Sequence, residues 1–192
     1  MPSAPLIKAL HGLRATFPDL PVAFSTERLG GALARVRADG TALALCPLLP
    51  DVPGDIVAHP ILRTTMRAVV APGHPLARIG PPVSRADLVP HIQLVLSEDD
   101  QAGGRDYGMI GARRWRFVDL ARRLDFLLAG FGWCRMPDHL IEPLLVEGRL
   151  VPLDIEQDDP RAHELVLYAA HRADRTLGPA GRWLMETLPS ND

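Results

Sequence analysis

Apolar positions along the chain recur with two different periods. Leu6, Leu10, Leu13 and Phe17 are spaced by four and three, which puts them on one face of a helix stopped by "PDLP". The short run "VAFS" predicts a strand, after which Ser25 or Thr26 is placed to cap a helix carrying Leu29, Leu33 and Val36 to its stop at "ADG". "TALALC" then predicts a buried strand. Strand, helix and strand at this spacing predict a right-handed crossover with parallel strands.

"MRAVVAPGHPLARIGPPV" predicts a strand running into a turn rich in Pro and Gly, and "HIQLVLS" predicts another apolar strand. The following "EDDQAGGRDYGMIG" is polar, Gly-rich and aperiodic, so a mobile loop is expected there. Leu120, Leu124, Leu127 and Leu128 mark the buried face of a helix, and Gly130 is its stop. "FGWCRM" predicts a strand, Asp138 is placed to cap a helix carrying Leu140, Ile141, Leu144 and Leu145, and Pro143 suits that helix only near its first turn. "RLVPL", "ELVLYAA" and a helix around Trp183 and Leu184 complete the pattern.

The length and the 47% hydrophobic content allow a sizeable core in one domain or two small lobes. A net charge of -2 supplies no basic field for gripping phosphates, so nucleic-acid binding by this chain is not expected. Nowhere do 18 apolar residues stand together, and "MPSAPLIKALHG" lacks the basic start and apolar run of a signal peptide; a cytoplasmic protein with no membrane contact is expected.

Chemical signatures are sparse. "LAGFGWCRMPDHL" places Cys134, Asp138 and His139 within six positions, but alternate strand residues point to opposite faces, so the three are not expected to converge. Gly130 as helix stop and Pro137 with Asp138 as helix start explain the stretch as scaffold. No nucleophile elbow, P-loop, dinucleotide fingerprint or zinc-protease motif occurs. The seven histidines are scattered, and neither they nor the two cysteines have metal-ligand spacing. No catalytic residue, metal or cofactor is therefore expected.

The runs "VVAPGHPLA", "ADLVPHIQLVLS" and "LLAGFGWCRMPDHLIEPLLVEGRLVPL", in this order, resemble the C-terminal effector-binding domain of LysR-type transcriptional regulators. The resemblance spans about Leu6 to Leu188. It implies an α/β, two-lobed fold like that of type 2 periplasmic binding proteins, with two crossover strands. Lobe I would be residues 1–69 plus 164–192 and lobe II residues 70–163. It also implies a small-molecule effector in the cleft between the lobes, and a homodimer made by lobe I to lobe II contacts, with DNA reached only through a helix-turn-helix domain that is not part of this stretch of sequence. Three departures stand out: the strand expected before the Leu6 helix is missing, Leu43 stands where the family commonly has Asp, and Pro143 interrupts a helix.

For the effector site the expected residues are Ser25, Thr26 and Glu27 from lobe I and Ser97, Trp115, Arg116, Phe117, Val118 and Trp133 from lobe II. Helix N-termini at Ser25 to Glu27 and near Phe117 to Asp119 favour a small organic anion. Hydroxyls of Thr26 and Ser97 donate, Arg116 pairs with a carboxylate, and Trp115 or Trp133 covers an apolar body. The helix from Leu29 to Arg37, with Ala32 and Arg35 outward, is the expected dimer surface. Two alternatives stand beside this reading: a thiol redox sensor of the same family using Cys46 or Cys134, and an enzyme on a binding-protein-like fold.

Overall fold

The computed structural model describes residues 3–49, 51–97, 109–110, 113–158 and 163–188. The expected mobile loop after Ser97 lies almost wholly outside the described residues. The chain divides into two compact units, Met1–Arg63 with Val166–Asp192, and Thr64–Leu165. It passes from the first to the second inside strand β2 (Ile56–Val70) and returns inside strand β7 (Glu164–Arg172).

In the first unit, helix α1 (Ser3–Thr16) buries Leu13 and packs Ala9 with Ile61, Leu167, Ala169 and Leu188. Helix α2 (Gly31–Arg37) sets Val36 against Ala44, Cys46 and Ala170. Strand β1 (Ala44–Pro47) pairs antiparallel with β7, Cys46 opposite Tyr168, and β7 neighbours β2. Helix α6 (Pro179–Thr187) closes the unit beside α1.

Several expectations fail in this unit. "VAFS" forms no strand: the backbone of residues 21–27 makes no hydrogen bond among the described residues, and Val22 and Phe24 are 49% and 68% exposed. With no neighbouring strand to accept its backbone, apolar content alone does not make an element. No parallel crossover exists, because β1 takes its partner from the far end of the chain. Nor does a helix start at Ser25 to Glu27. It starts at Gly31, after Gly30 at φ 78°, a left-handed conformation that favours glycine, and no side chain caps it. Ala32 is half-buried against the core, while Arg35, held by Glu27, is exposed, so of the two residues expected on the outer face only Arg35 lies there.

The second unit is a sheet of order β2, β5 (Trp133–Pro137), β3 (Gln93–Leu96), β4 (Arg114–Phe117), with β6 (Val151–Pro152) also against β2. β3 runs parallel to both β4 and β5, while β2 is antiparallel to β5. Strand β4, "RWRF", was not expected, since arginines hide its alternation. On one face Ala68, Val70, Leu76, Val83, Leu88 and Trp133 form a core under a 3-10 turn (Pro75–Arg78) and the short helix α3 (Arg85–Leu88). On the other, Val69, Leu94, Leu127, Cys134, Met136 and Ile141 pack beneath helices α4 (Leu120–Leu128) and α5 (Asp138–Val146).

The motifs of this unit are packing devices. Gly130, at φ 79°, ends α4. Gly132 lets two backbones meet: a Cβ there would stand 2.2 Å from the carbonyl oxygen of Ile92, which accepts the Trp133 N–H at 3.0 Å. His74 of "PGHP" is buried, and its Nδ1 accepts the Leu76 N–H at 3.2 Å. Asp138 is not a cap, since Pro137 holds that position and Asp138 is the first helical residue. Pro143 sits sixth in α5, beyond the first turn, and deprives the His139 carbonyl of its helical donor.

Candidate functional site

Strand direction fixes which residues share an edge. Because β3, β4 and β5 are parallel, Ser97, Val118 and Asp138 all follow their C-terminal ends. Met66 of the antiparallel β2 lies opposite Pro137, so Thr64 reaches this same edge. Both long helices also begin here. Asp119 caps α4 by accepting the Arg122 N–H at 2.7 Å, and α5 begins at Asp138 without a side-chain cap. Uncapped first-turn N–H groups and two positive dipole ends therefore lie along one edge of the unit.

Polar side chains gather where β2 meets α5. His139 Nδ1 stands 3.3 Å from the hydroxyl of the buried Thr64, and Arg67 donates to Asp138 Oδ2 at 3.0 Å. Burial pushes the His139 imidazole below its ordinary value, against the opposing pull of Asp138, so the ring is neutral near pH 7. Its Nε2 and Asp138 Oδ1 are buried with no hydrogen-bond partner. A neutral imidazole accepts at one nitrogen and donates at the other, so this corner offers a hydroxyl, an imidazole and helix N–H groups to a polar ligand.

One row deeper, Trp133 and Arg135 point from β5 to the face of the first core. Arg135 is 8% exposed and donates through Nη2 to Asp158 Oδ1 at 2.8 Å, while His163 Nε2 lies 2.7 Å from the same oxygen. On the opposite face the buried Arg123 donates to the Arg135 carbonyl and to Met136 Sδ.

The expected site residues divide. Ser25 and Thr26 are exposed in the first unit. Glu27 is held by Arg35 at 2.8 Å, and that hydrogen bond keeps its carboxyl below the usual carboxylate range. Ser97 is fully buried, with its N–H donating to the Phe117 carbonyl at 2.8 Å, so Ser97, Phe117 and Val118 do come together. Trp115 turns instead to the α4 face, in an aromatic group with Phe126 and Phe131, and Arg116 points the other way. Trp133 is a core residue 1% exposed.

Sequence reasoning missed Thr64, Arg135, Asp158 and His163, and it weighed His139 only as a triad member. An arginine inside the apolar run "FGWCRM" was the available signal. Both cysteines are buried; burial pushes the Cys46 thiol up to about 11 and raises Cys134 as well, against an opposing effect of Arg123. Among the described residues no group of three or more metal-ligating side chains occurs, and no helix is long and apolar enough to cross a membrane.

Comparison with curated protein sequences returns no match. Among solved structures, the Synechocystis PCC6803 CcmR regulatory domain in complex with 2-PG is 15% identical with a TM-score of 0.70, covering 95% of this chain and 90% of that one. The effector binding domain of QuiR in complex with shikimate is 15% identical with a TM-score of 0.71, covering 95% and 88%. The oxidized form of OxyR is 21% identical with a TM-score of 0.68, covering 96% and 88%. These likenesses establish the fold, as the resemblance in the sequence implied. The family model described as the LysR substrate binding domain matches residues 1–191, and the chain belongs to that family of effector-binding domains of LysR-type regulators.

Proposed function

We propose that this domain senses a small organic anion, and that the C-terminal edge of the second unit's parallel strands is where the anion's polar groups are held. The observation carrying this reading is the convergence at that edge of buried Thr64 and Ser97, the unpartnered His139 Nε2 and the starts of α4 and α5. Open parallel sheets commonly take ligands at this edge, and the uncapped start of α5 favours negative charge. QuiR in complex with shikimate supports an anionic ligand, and CcmR in complex with 2-PG supports a small one.

In this proposal the effector lies in the cleft that the family implies between lobes 1–69 plus 164–192 and 70–163. Ser25, Thr26, Glu27, Ser97, Arg116, Phe117, Val118 and Trp133 supply its surroundings. The domain works in the cytoplasm as a homodimer through lobe I to lobe II contacts, reaches DNA only through a helix-turn-helix domain, and catalyses nothing. Signalling requires that the effector prefer one arrangement, because equal affinity for two shifts neither.

Thermal-shift screening of small carboxylates against their amides tests the reading. Carboxylates are expected to raise the melting temperature, and Thr64→Val with His139→Phe to weaken the effect about tenfold or more in concentration. Stabilisation by neutral or cationic compounds alone would overturn it.

A further inference from the structure

We infer that the Trp133 and Arg135 face of β5 is an oxyanion-binding subsite, at which a carboxylate accepts the indole N–H of Trp133 and guanidinium N–H groups of Arg135. Trp133 Nε1, Arg135 Nε and Arg135 Nη1 are all buried without a hydrogen-bond partner. Both side chains are more than nine-tenths buried, and as residues i and i+2 of one strand they point the same way. All three unpaired atoms are donors, so the complement they lack is an acceptor.

Charge selects the kind of acceptor. Asp158 bonds only Nη2 of Arg135, and that carboxylate oxygen also faces His163. Its negative charge disfavours an anion on the Nη2 side and leaves the Nε, Nη1 and Trp133 donors for one. Arg116 stands on the same face two strands away, opposite Val95. Carboxylates pair well with such donors because charge-assisted hydrogen bonds are the stronger kind. Ala68 and Ile155 beside Trp133 would meet the ligand's apolar part.

The subsite rests on the proposal that the effector is an anion, and it makes Arg135 a recognition residue beside Arg116. The test follows the three tryptophan indole N–H resonances of the whole 15N-labelled chain during titration with benzoate, inorganic phosphate and benzamide. Benzoate is expected to move the Trp133 resonance saturably while Trp183 stays still and benzamide has little effect. Trp133→Phe, which keeps the aromatic packing, and Arg135→Lys are each expected to weaken benzoate binding about tenfold or more. If benzoate or phosphate stabilises the protein but leaves the Trp133 resonance and the Trp133→Phe affinity unchanged, the donors hold only water and the subsite is wrong, while the anion reading survives. If none of the anions binds, the anion reading itself falls, and the subsite with it.

Discussion

Residues 22–30 and residues 130–138 carry similar local signals and end in opposite states. Each has a short apolar run, a glycine at a helix boundary and a polar residue suited to capping. In the second stretch Gly130 ends one helix, Trp133 to Pro137 form a strand with β2 on one side and β3 on the other, and α5 begins at once. In the first, the strand does not form and the helix starts late, from Gly30. The two differ in neighbours. A strand is stabilised by backbone partners and by side chains packed on both faces, and 133–137 has both whereas 22–25 has neither.

The strongest probe of this contrast is Gly132→Ala. The new Cβ would strike the Ile92 carbonyl, and backbone cannot yield as a side-chain tip does. A loss of about 4 kcal/mol, or failure to fold, is expected in chemical denaturation. An unchanged midpoint would show that the 130–138 stretch does not depend on close contact with its neighbour.

A second probe compares caps. Ser25 and Thr26 cap nothing, while His74 caps its turn as a buried neutral ring, with burial first and the nearby His91 second in lowering its pKa. The unfolded chain therefore takes up this proton more readily than the folded one. Stability from His74 is complete above the unfolded value of about 6.5 and is lost as pH falls from there towards the folded value. The urea midpoint is expected to drop between pH 7.5 and pH 5.5, and His74→Asn, whose amide oxygen can still accept the Leu76 N–H, to narrow that drop. A variant with the full drop would remove His74 as a cause.

The smallest effect is expected at Phe24. Its ring is mostly exposed and its segment unpaired, so Phe24→Ser should change the denaturation midpoint by no more than about 0.5 kcal/mol. A larger loss would mean that 22–25 is packed in solution and would dissolve the contrast.

The pattern of apolar positions alone determined most helices, the strands β1, β3, β5, β6 and β7, the end of β2 from Met66, and the motifs that mark the family, because these depend on period, on glycine conformations and on proline. It did not reveal β4, whose partner β3 rather than its own alternation makes it a strand. For the site, Phe117 and Val118 were named from the helix start expected near Phe117 to Asp119, whereas their meeting with Ser97 follows from the parallel pairing of β3 and β4. Trp115 was placed by alternation on the α4 face, a direction that needs the strand's register with β3. Thr64, 75 positions from His139, meets it only because β2 returns antiparallel to β5. The pairing of Arg135 with Asp158 and His163 likewise joins residues that no spacing rule connects. Sequence sets what each segment prefers locally, whereas which polar groups become buried, paired or left without a partner depends on long-range strand order, and that is decided only when the sheet is assembled.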